Sequence, residues 1–323
     1  MTIPFFSDAR IDALVDVPSC AVALDAAFTD LSAGNATIQA RQRVDCGGVK
    51  LSTMGAVWAS RQIAGVKAYT TVAGNFSFVV TLFDTATNRP AAVLEAQSLT
   101  RLRTAALTRL VTQRALRSHA RKLALFGAGQ QGRAQVQALC ALRTFDEVAV
   151  VDPQADPAWA RRLATQHSCE VTLCDAPAAL SGADLVVTAT RSKQPLFDGS
   201  LLKRGALVIA MGASLPDGRE LDDTTLRRAA RVLVEWNPQS LVEAGEAVLG
   251  IASGALDQDR IVDLPMIYAG ASPWRTTDDE IIVFKSVGIG LADVACGWLA
   301  LQASHREMPS GASGSTGMEA ALS

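Results

Sequence analysis

Six residues, Gly127-Ala-Gly-Gln-Gln-Gly132, separate a short apolar segment from a helical one in the middle of this 323-residue chain. The apolar segment, Lys122–Phe126, has the length of a buried strand, and residues 131–142 have the spacing of a helix. A strand, a glycine-rich turn and a helix in this order are typical of the start of a βαβ unit. Parallel strands connected in this way need helices on both faces of their sheet. The turn therefore restricts the chain to folds with a covered parallel sheet.

The same alternation continues after the turn. Strand-like segments lie at 123–126, 147–151, 169–173, 185–188, 206–211 and 231–235, with helical segments between them. Strands and helices that alternate at this spacing predict successive parallel βαβ units. We therefore expect an α/β fold with a doubly wound parallel sheet of the Rossmann type.

The first hundred residues have a different pattern, which predicts an α+β arrangement. A helical segment at 11–31 precedes strand-like segments at 38–44, 49–53, 62–72 and 76–84. A helix at 98–119 connects this region to the glycine turn. A last helix, at 288–305, is expected to return to the first region.

These patterns predict two domains and a tail. Residues 1–118 together with 293–308 are expected to form one domain, built from both ends of the chain. Residues 119–292 are expected to form the dinucleotide-binding domain. The tail, 309–323, is predicted to be disordered because it is rich in Gly and Ser and has few apolar residues.

Composition argues against several classes of function. The 49% hydrophobic content is enough for two cores, while a formal net charge of −2 predicts neither a nucleic-acid nor a membrane partner. The six cysteines form no C-x-x-C pair and the three histidines stand apart, so no metal site is predicted. The N-terminus lacks the basic and then apolar order of a signal peptide. We therefore expect a cytoplasmic protein.

The glycine turn is suited to a dinucleotide. Gly127 permits the tight turn, Gly129 lets the backbone approach a pyrophosphate, and Gly132 lets the helix pack closely on the strand. Gln130 and Gln131 follow at the start of the helix, whose N-terminal N–H groups attract phosphate. The turn therefore predicts a nicotinamide dinucleotide cofactor.

Asp152 closes the second predicted strand of this region. A carboxylate there accepts hydrogen bonds from a free ribose 2′-hydroxyl and repels a 2′-phosphate. NAD(H) is therefore favoured, and NADP(H) stays possible. The alternative is that Asp152 caps the helix that follows it.

Two later predicted strands end in small or polar residues. Ligands of a doubly wound sheet bind at the carboxyl ends of its strands. We therefore expect the nicotinamide side of the site to be lined by the residues at these ends, which are Thr188, Ala189, Thr190, Met211 and Gly212.

Seven further segments accompany the glycine turn, and with it they cover nearly the whole chain in order. They are Leu51-Ser-Thr-Met54, Gly65-Val-Lys67, Arg101-Leu-Arg-Thr-Ala-Ala106, Asp184-Leu-Val-Val-Thr-Ala-Thr190, Gly212-Ala213, Arg219-Glu-Leu221 and Ile282-Val-Phe-Lys-Ser-Val-Gly288. As a set they resemble the ornithine cyclodeaminase/μ-crystallin family, whose members include alanine dehydrogenases of the archaeal type and ketimine reductases.

This resemblance implies that the domain built from both ends of the chain, 1–118 with 293–308, binds the substrate and forms a homodimer. A substrate carboxylate would be held by two arginines, which correspond to Arg41 and Arg103, with Arg43 as an alternative to Arg41. A lysine, Lys67, would lie beside the reacting carbon. Planar guanidinium groups suit bidentate carboxylate binding, and a lysine in an apolar pocket exchanges protons near neutral pH. Lys67 stands within an apolar, strand-like segment; the alternative for it is an outward-facing, solvated side chain.

Two positions depart from the cyclodeaminases of this family. Their aspartate after the paired small residues is replaced by Ser214, and their glutamate before the methionine of the first domain is replaced by Ser52. Deamination needs protons moved on and off nitrogen, so the loss of two acid/base groups argues against it. Imine reduction depends mainly on orientation of the substrate and hydride delivery.

The expected activity is therefore reduction of a cyclic 2-carboxy imine, Δ1-pyrroline-2-carboxylate or Δ1-piperideine-2-carboxylate, to L-proline or L-pipecolate. The alternatives are an enzyme like alanine dehydrogenase, a reductase of a dicarboxylic imine, an ornithine cyclodeaminase, and a non-catalytic binding protein like μ-crystallin.

Overall fold

The computed structural model describes residues 3–307, which form two sheets with helices packed on them. The predicted disordered tail at 309–323 lies outside the described residues. The first sheet has six strands in the order β1-β6-β5-β4-β3-β2, antiparallel except for the β1/β6 pair. Its strands are β1 (Phe5–Phe6), β2 (Ala36–Cys46), β3 (Val49–Trp58), β4 (Ile63–Val72), β5 (Asn75–Asp84) and β6 (Arg89–Glu95).

Three helices of the N-terminal region accompany this sheet: α1 (Asp8–Leu14), α2 (Val17–Ser32) and α3 (Gln97–Ala115). The segment at 11–31, predicted as one helix, is divided because Asp16 caps α2. Its side chain accepts a hydrogen bond from the N–H of Ser19, and the Ser19 hydroxyl oxygen accepts one from the N–H of Asp16. The two bonds form a capping box. The chain therefore turns between α1 and α2.

The second sheet has eight strands, all parallel, in the order β13-β12-β14-β11-β10-β7-β8-β9. The strands are β7 (Lys122–Phe126), β8 (Glu147–Val151), β9 (Glu170–Leu173), β10 (Leu185–Thr188), β11 (Leu207–Ala210), β12 (Ala229–Val234), β13 (Ile261–Asp263) and β14 (Ile281–Lys285). This arrangement confirms the predicted α/β fold with a doubly wound parallel sheet. The chain reverses its direction of winding between β7 and β10, which is where such sheets bind ligands.

Eight more helices complete the described chain. They are α4 (Gln130–Cys140), α5 (Pro157–His167), α6 (Ala176–Leu180), α7 (Asp223–Arg228), α8 (Asn237–Glu243), α9 (Gly245–Ala252), α10 (Leu264–Tyr268) and α11 (Gly290–Glu307). α11 packs against α2, β3 and β4, so the last helix lies on the first sheet. In residues 3–307, no helix combines the length and the apolar character needed to cross a membrane, and no cluster of potential metal ligands occurs.

Candidate active site

A cavity of about 840 Å³ lies between the two sheets, at the carboxyl ends of β7, β8, β10 and β11. It collects most of the predicted site residues from seven separate parts of the sequence. Those that line it are Arg41, Lys67, Arg103, Gly127, Gly129, Gln130, Gln131, Asp152, Ala189, Thr190, Met211 and Gly212. Gly132 and Thr188 lie behind its wall, where each has a different role.

The glycine turn forms one end of the cavity. Gly127 has a positive φ of 91°, and a Cβ there would lie 2.8 Å from the carbonyl oxygen of Ala189. A Cβ on Gly132 would overlap the carbonyl oxygen of Gly127, which explains why the helix can pack so closely on the strand. A Cβ on Gly129 meets no atom within 4 Å, because that side of the turn faces open space.

The N-terminus of α4 opens on the same space. Gly129 is the N-cap of this helix and supplies no side-chain acceptor for its first N–H groups. Free N–H groups and the positive end of the helix dipole form a site for an anion. The turn therefore fits the pyrophosphate of a dinucleotide.

Asp152 lies beside the glycine turn and stabilises it. Its Oδ2 accepts a hydrogen bond from the N–H of Ala128 at 2.7 Å, and its Oδ1 accepts one from the N–H of Gln154 at 2.8 Å. Carboxylate oxygens have further lone pairs, so acceptor capacity remains towards the cavity. The next helix, α5, is capped by Asp156, so the helix-capping alternative for Asp152 does not describe this structure.

Glu220, which the sequence analysis did not identify as a site residue, holds the ends of β10 and β11 together. It is fully buried and accepts hydrogen bonds from the hydroxyl of Thr188 at 2.7 Å, the N–H of Thr190 at 2.8 Å and the N–H of Gly212 at 2.7 Å. Thr188 therefore directs its hydroxyl to Glu220 and is absent from the cavity wall. The available signal was the position of Glu220 inside one of the matching segments, 219–221.

Lys67 lies at the opposite end of the cavity and is almost completely buried. Its Nζ donates hydrogen bonds to Thr100 Oγ1 at 2.5 Å and to Asp293 Oδ1 at 3.0 Å, and it lies 4.5 Å from the centre of the Phe78 ring. Burial has the largest effect on the pKa of Lys67 and lowers it, the carboxylate of Asp293 raises it, and the guanidinium of Arg103 lowers it. Together these effects give a pKa of about 8. The solvated, outward-facing alternative for Lys67 does not describe this structure.

Arg103 comes from α3 and shares Asp293 with Lys67. Its Nε lies 3.4 Å from Asp293 Oδ1. A Cβ on Gly288 would lie 3.0 and 3.1 Å from the two terminal nitrogens of Arg103, so glycine at this position leaves the space that the guanidinium occupies. Arg103 is thus fixed from behind and lines the cavity with its guanidinium.

Arg41 and Arg43 share a different carboxylate, that of Glu243. Arg41 Nη1 lies 2.7 Å from Glu243 Oε2, and Arg43 pairs with the other oxygen. Arg41 also donates from Nη2 to the carbonyl oxygens of Val287 at 2.8 Å and Gly288 at 2.9 Å. Arg41 belongs to the cavity lining in the described part of the chain and Arg43 does not.

Glu235 fixes the loop that carries these carbonyl groups. It is fully buried and accepts hydrogen bonds from the Ser286 hydroxyl at 2.6 Å, the Val287 N–H at 2.9 Å and the Gly288 N–H at 3.0 Å. Its oxygens are therefore occupied by the protein itself, and Glu235 acts on Arg41 only through the loop.

Three aromatic side chains form a wall next to Lys67. Tyr69, Phe76 and Phe78 come from β4 and β5, with ring centres 5.2 Å apart for Tyr69 and Phe78 and 5.6 Å apart for Phe76 and Phe78.

The two positions that differ from the cyclodeaminases carry serine and therefore supply no acidic side chain. Ser214 lines the cavity, and Ser52 is buried. Of the lining residues in the described chain, Asp152 is the only acidic one, and it lies at the nucleotide end.

The acids that complete this site were missed because they are distant in sequence from the cations they bind. Asp293 and Lys67 are 226 positions apart, and Glu243 and Arg41 are 202 positions apart. The one local signal for Asp293 was a charged residue among apolar ones in the last helix.

Comparison with known proteins agrees with the resemblance seen in the sequence. The profile of the ornithine cyclodeaminase/mu-crystallin family matches residues 5–305. A Delta(1)-pyrroline-2-carboxylate reductase of Bacillus cereus is 31% identical over 220 residues, which cover 67% of each chain.

Two solved structures have the same fold. A probable ornithine cyclodeaminase from Bordetella pertussis is 42% identical, with a TM-score of 0.90 over 94% of this chain and 98% of that one. The Thermococcus litoralis Delta(1)-pyrroline-2-carboxylate reductase, in complex with NADH and L-proline, is 24% identical, with a TM-score of 0.88 over 94% and 98%. The chain described here therefore belongs to the ornithine cyclodeaminase/mu-crystallin family.

Proposed function

We propose that this chain reduces a cyclic 2-carboxy imine, Δ1-pyrroline-2-carboxylate or Δ1-piperideine-2-carboxylate, to L-proline or L-pipecolate. The chain is an NAD(P)H-dependent oxidoreductase. The observation that carries the proposal is that Arg41, Lys67 and Arg103 line the same cavity as the glycine turn. An anionic substrate and a dinucleotide can therefore meet in one enclosed space.

The cations at the substrate end favour an anionic substrate. Arg41 and Arg43 share Glu243, and Lys67 and Arg103 share Asp293, so each group keeps an excess of one positive charge. Within residues 3–307 no hydrogen bond occupies the terminal nitrogens of Arg103, which leaves them for a bidentate contact, whereas Arg41 already donates to Glu243 and to two carbonyl groups. Arg103 is therefore the main carboxylate ligand in this proposal, and Arg41 supports it.

The aromatic wall suits an apolar ring. Tyr69 and Phe78 lie beside Lys67, so a substrate held by its carboxylate at Arg103 places its ring carbons against aromatic faces. A second carboxylate or a distal ammonium would lose hydration there without a matching partner. This favours a cyclic imine over a dicarboxylic imine or a diamino acid.

Lys67 would manage the proton at the imine nitrogen. Its pKa of about 8 makes Nζ a proton donor of suitable strength near neutral pH. Thr100 and Asp293 accept from Nζ and fix its position. The bound nicotinamide supplies the hydride, and the chain supplies orientation, exclusion of water and this proton.

NADH is the favoured cofactor in this proposal, and NADPH is the alternative. Asp152 lines the cavity after β8, the strand end at which such folds bind the adenosine ribose, and its hydrogen bond from the N–H of Ala128 fixes the carboxylate. The repulsion of like charges therefore favours the cofactor without that phosphate.

The partner that we propose is a second copy of this chain. The outer face of the first sheet exposes apolar side chains on β3 and β5, the two strands that flank β4, namely Leu51, Val57, Val79 and Phe83. Water contact with such a face is unfavourable, and a homodimer would cover it. One of the structural relatives is described as an alanine dehydrogenase dimer.

A second candidate is ornithine cyclodeamination, because the Bordetella structure carries that name at 42% identity. The absence of an acid among the lining residues at the substrate end, within residues 3–307, speaks against it. An enzyme like alanine dehydrogenase, a dicarboxylic imine reductase and a non-catalytic binding protein complete the alternatives.

A substrate panel tests the proposal. NADH and NADPH absorbance is followed with the five- and six-membered cyclic imines, with pyruvate plus ammonia, and with a dicarboxylic 2-oxo acid plus ammonia. We expect the cyclic imines to give the highest kcat/KM. Faster turnover of an open-chain substrate would contradict the proposal, and binding of NADH without any turnover would favour the binding protein.

A further inference from the structure

Asp293 lies behind the substrate end of the cavity. It occupies the first turn of α11 and is fully buried, and its neighbours along the helix are apolar: Leu291, Ala292, Val294 and Ala295. Burying a carboxylate in such surroundings is unfavourable unless cations compensate for the lost hydration. The carboxylate therefore depends on the charges that face it.

Two cations of the substrate site provide this compensation. Lys67 Nζ lies 3.0 Å from Asp293 Oδ1, and Arg103 Nε lies 3.4 Å from the same atom. Oδ2, the other oxygen, is buried and has no hydrogen-bond partner among the described residues. One oxygen atom thus links two side chains that line the cavity, one from β4 and one from α3.

Lys67 has no other acid among its immediate partners in the described chain. The groups that face it are Asp293 from α11, Arg103 and Thr100 from α3, Arg41 from β2 and the ring of Phe78 from β5. Both arginines and burial favour the uncharged amine, and Asp293 opposes them. Without this carboxylate, the described groups left in contact with Nζ would be the Thr100 hydroxyl and the Phe78 ring, and neither of them carries a negative charge.

We propose that Asp293 is a positioning residue that keeps Lys67 protonated and fixes the positions of the Lys67 and Arg103 side chains relative to each other at the substrate site. The inference rests on the proposed imine reduction. In that reaction the C=N π bond breaks as the carbon gains a hydride and the nitrogen gains a proton. Nζ of Lys67 gives this proton and regains one from water, so it must enter the reaction charged.

Asp293→Asn is the sharpest test, because it removes the charge and keeps the shape. Lys67 can be followed by NMR of protein labelled with ¹³C at the lysine ε-carbon, with the signal assigned by its loss in Lys67→Arg. We expect wild-type Lys67 to titrate near pH 8. In Asp293→Asn its titration should move down by about 1 to 3 pH units, the effect of one opposite charge at this distance.

The kinetic expectation follows from the same charge. The alkaline limb of kcat/KM for the imine, which reports groups of the free enzyme and of the free substrate, should move down with the NMR titration. Titration of the substrate is common to both enzymes and cancels in the comparison. At pH 7, kcat/KM should fall by about 2- to 100-fold, because a downward shift of about 1 to 3 pH units from about 8 removes that share of protonated Lys67. Asp293→Glu keeps the charge and should restore the position of the limb.

Asp263→Asn is the matched control. Asp263 is also a buried acid, but it caps α10 and accepts from the N–H groups of Met266 and Asn237, away from the cavity lining. It should leave the Lys67 titration and the alkaline limb unchanged.

Two results would overturn the inference. One is an unchanged Lys67 titration in Asp293→Asn; the other, which needs no folded variant, is a wild-type Lys67 that is uncharged at pH 7. Failure of the proposed function looks different. Neither cyclic imine would then be reduced by the wild type, although the NMR shift between wild type and Asp293→Asn would remain.

Discussion

Asp152 Oδ2 and the backbone N–H of Ala128 form a hydrogen bond of 2.7 Å, which ties the end of β8 to the middle of the glycine turn. The carboxylate is therefore held in place by the protein before any cofactor binds. A fixed charge loses little entropy on binding and discriminates strongly between ligands of different charge.

Asp152→Ser should reduce the preference for NADH over NADPH. The substitution removes the repulsion of a 2′-phosphate, an effect of about 1 to 3 kcal/mol, so the ratio of the two kcat/KM values should change by about 5- to 150-fold. Affinity for NADH should also fall, since the bond to Ala128 is lost. Steady-state kinetics with both cofactors give the ratio.

Asp156→Ser is the control for this change. Asp156 caps α5 and does not contact the turn, and serine also serves as an N-cap. The cofactor ratio should stay at its wild-type value in this variant. A wild-type enzyme that already prefers NADPH strongly would contradict the role of Asp152.

Gly129→Val should abolish dinucleotide binding in a folded protein. Apart from adjacent residues of the same turn and helix, no atom of the described chain lies within 4 Å of a Cβ at this position, so a larger side chain meets only the space that we assign to the pyrophosphate. Calorimetry with NADH measures the loss. Normal affinity in the variant would place the cofactor elsewhere.

Gly132→Ala provides the contrasting case in the same turn. Its Cβ would overlap the carbonyl oxygen of Gly127, so the backbone must shift. We expect the free energy of unfolding to fall by about 1 to 3 kcal/mol or more, measured by chemical denaturation. Gly129→Val should keep a melting temperature close to that of the wild type.

Periodicity predicted the parallel sheet because buried parallel strands form short, uniform apolar segments. β8 and β10 begin and end at the residues that this pattern predicted. It also contains β1 and β13, two and three residues long, which are too short to show a period of their own. These strands exist because tertiary contacts align them with longer neighbours. The domain boundaries stay a prediction.

The candidate site could be predicted only in part, for a similar reason. Glycine turns and strand ends are local features, whereas an ion pair such as Lys67–Asp293 depends on how α11 packs on β4. The pattern of single residues gives no information on such a pairing. The carboxylates of Glu220, Glu243 and Asp293 therefore became visible only in the folded chain.

Arg103→Ala should raise KM for the imine by about 10- to 100-fold, the value of a hydrogen bond to a charged group, with a smaller change in kcat. Arg41→Ala should raise KM as well, and it should also lower the melting temperature. Arg41 holds the carbonyl groups of Val287 and Gly288 and pairs with the buried Glu243. A variant in which KM is unchanged would remove that arginine from the carboxylate site.

Lys67→Ala should chiefly lower kcat, by about 10²- to 10⁴-fold, because a proton donor acts mainly in the transition state. Initial rates at saturating substrate measure it. Lys50→Ala is a suitable control, since Lys50 is a partly exposed lysine of β3 that pairs with Asp45. If Lys67→Ala keeps a normal kcat, Nζ has no part in proton transfer.

L-Ornithine should not be converted to proline and ammonia at a rate comparable to imine reduction. The ammonia released from enzyme, NAD and L-ornithine is measured directly, and reduction of the cyclic imine by the same preparation is the positive control. Comparable rates would contradict the assignment and would mean that other groups, Lys67 among them, move the protons of deamination.

The expectation rests on what surrounds the substrate end of the cavity. A deaminase must take protons from nitrogen and return them, and each positioned acid or base contributes about 10²- to 10⁴-fold. Ser214 lines the cavity without an acid function, Ser52 is buried, and the acids nearest to the cations, Asp293 and Glu243, are already paired with them. The second ammonium of ornithine would also meet an excess of positive charge. Imine reduction avoids both difficulties, because its substrate brings one carboxylate and needs one proton.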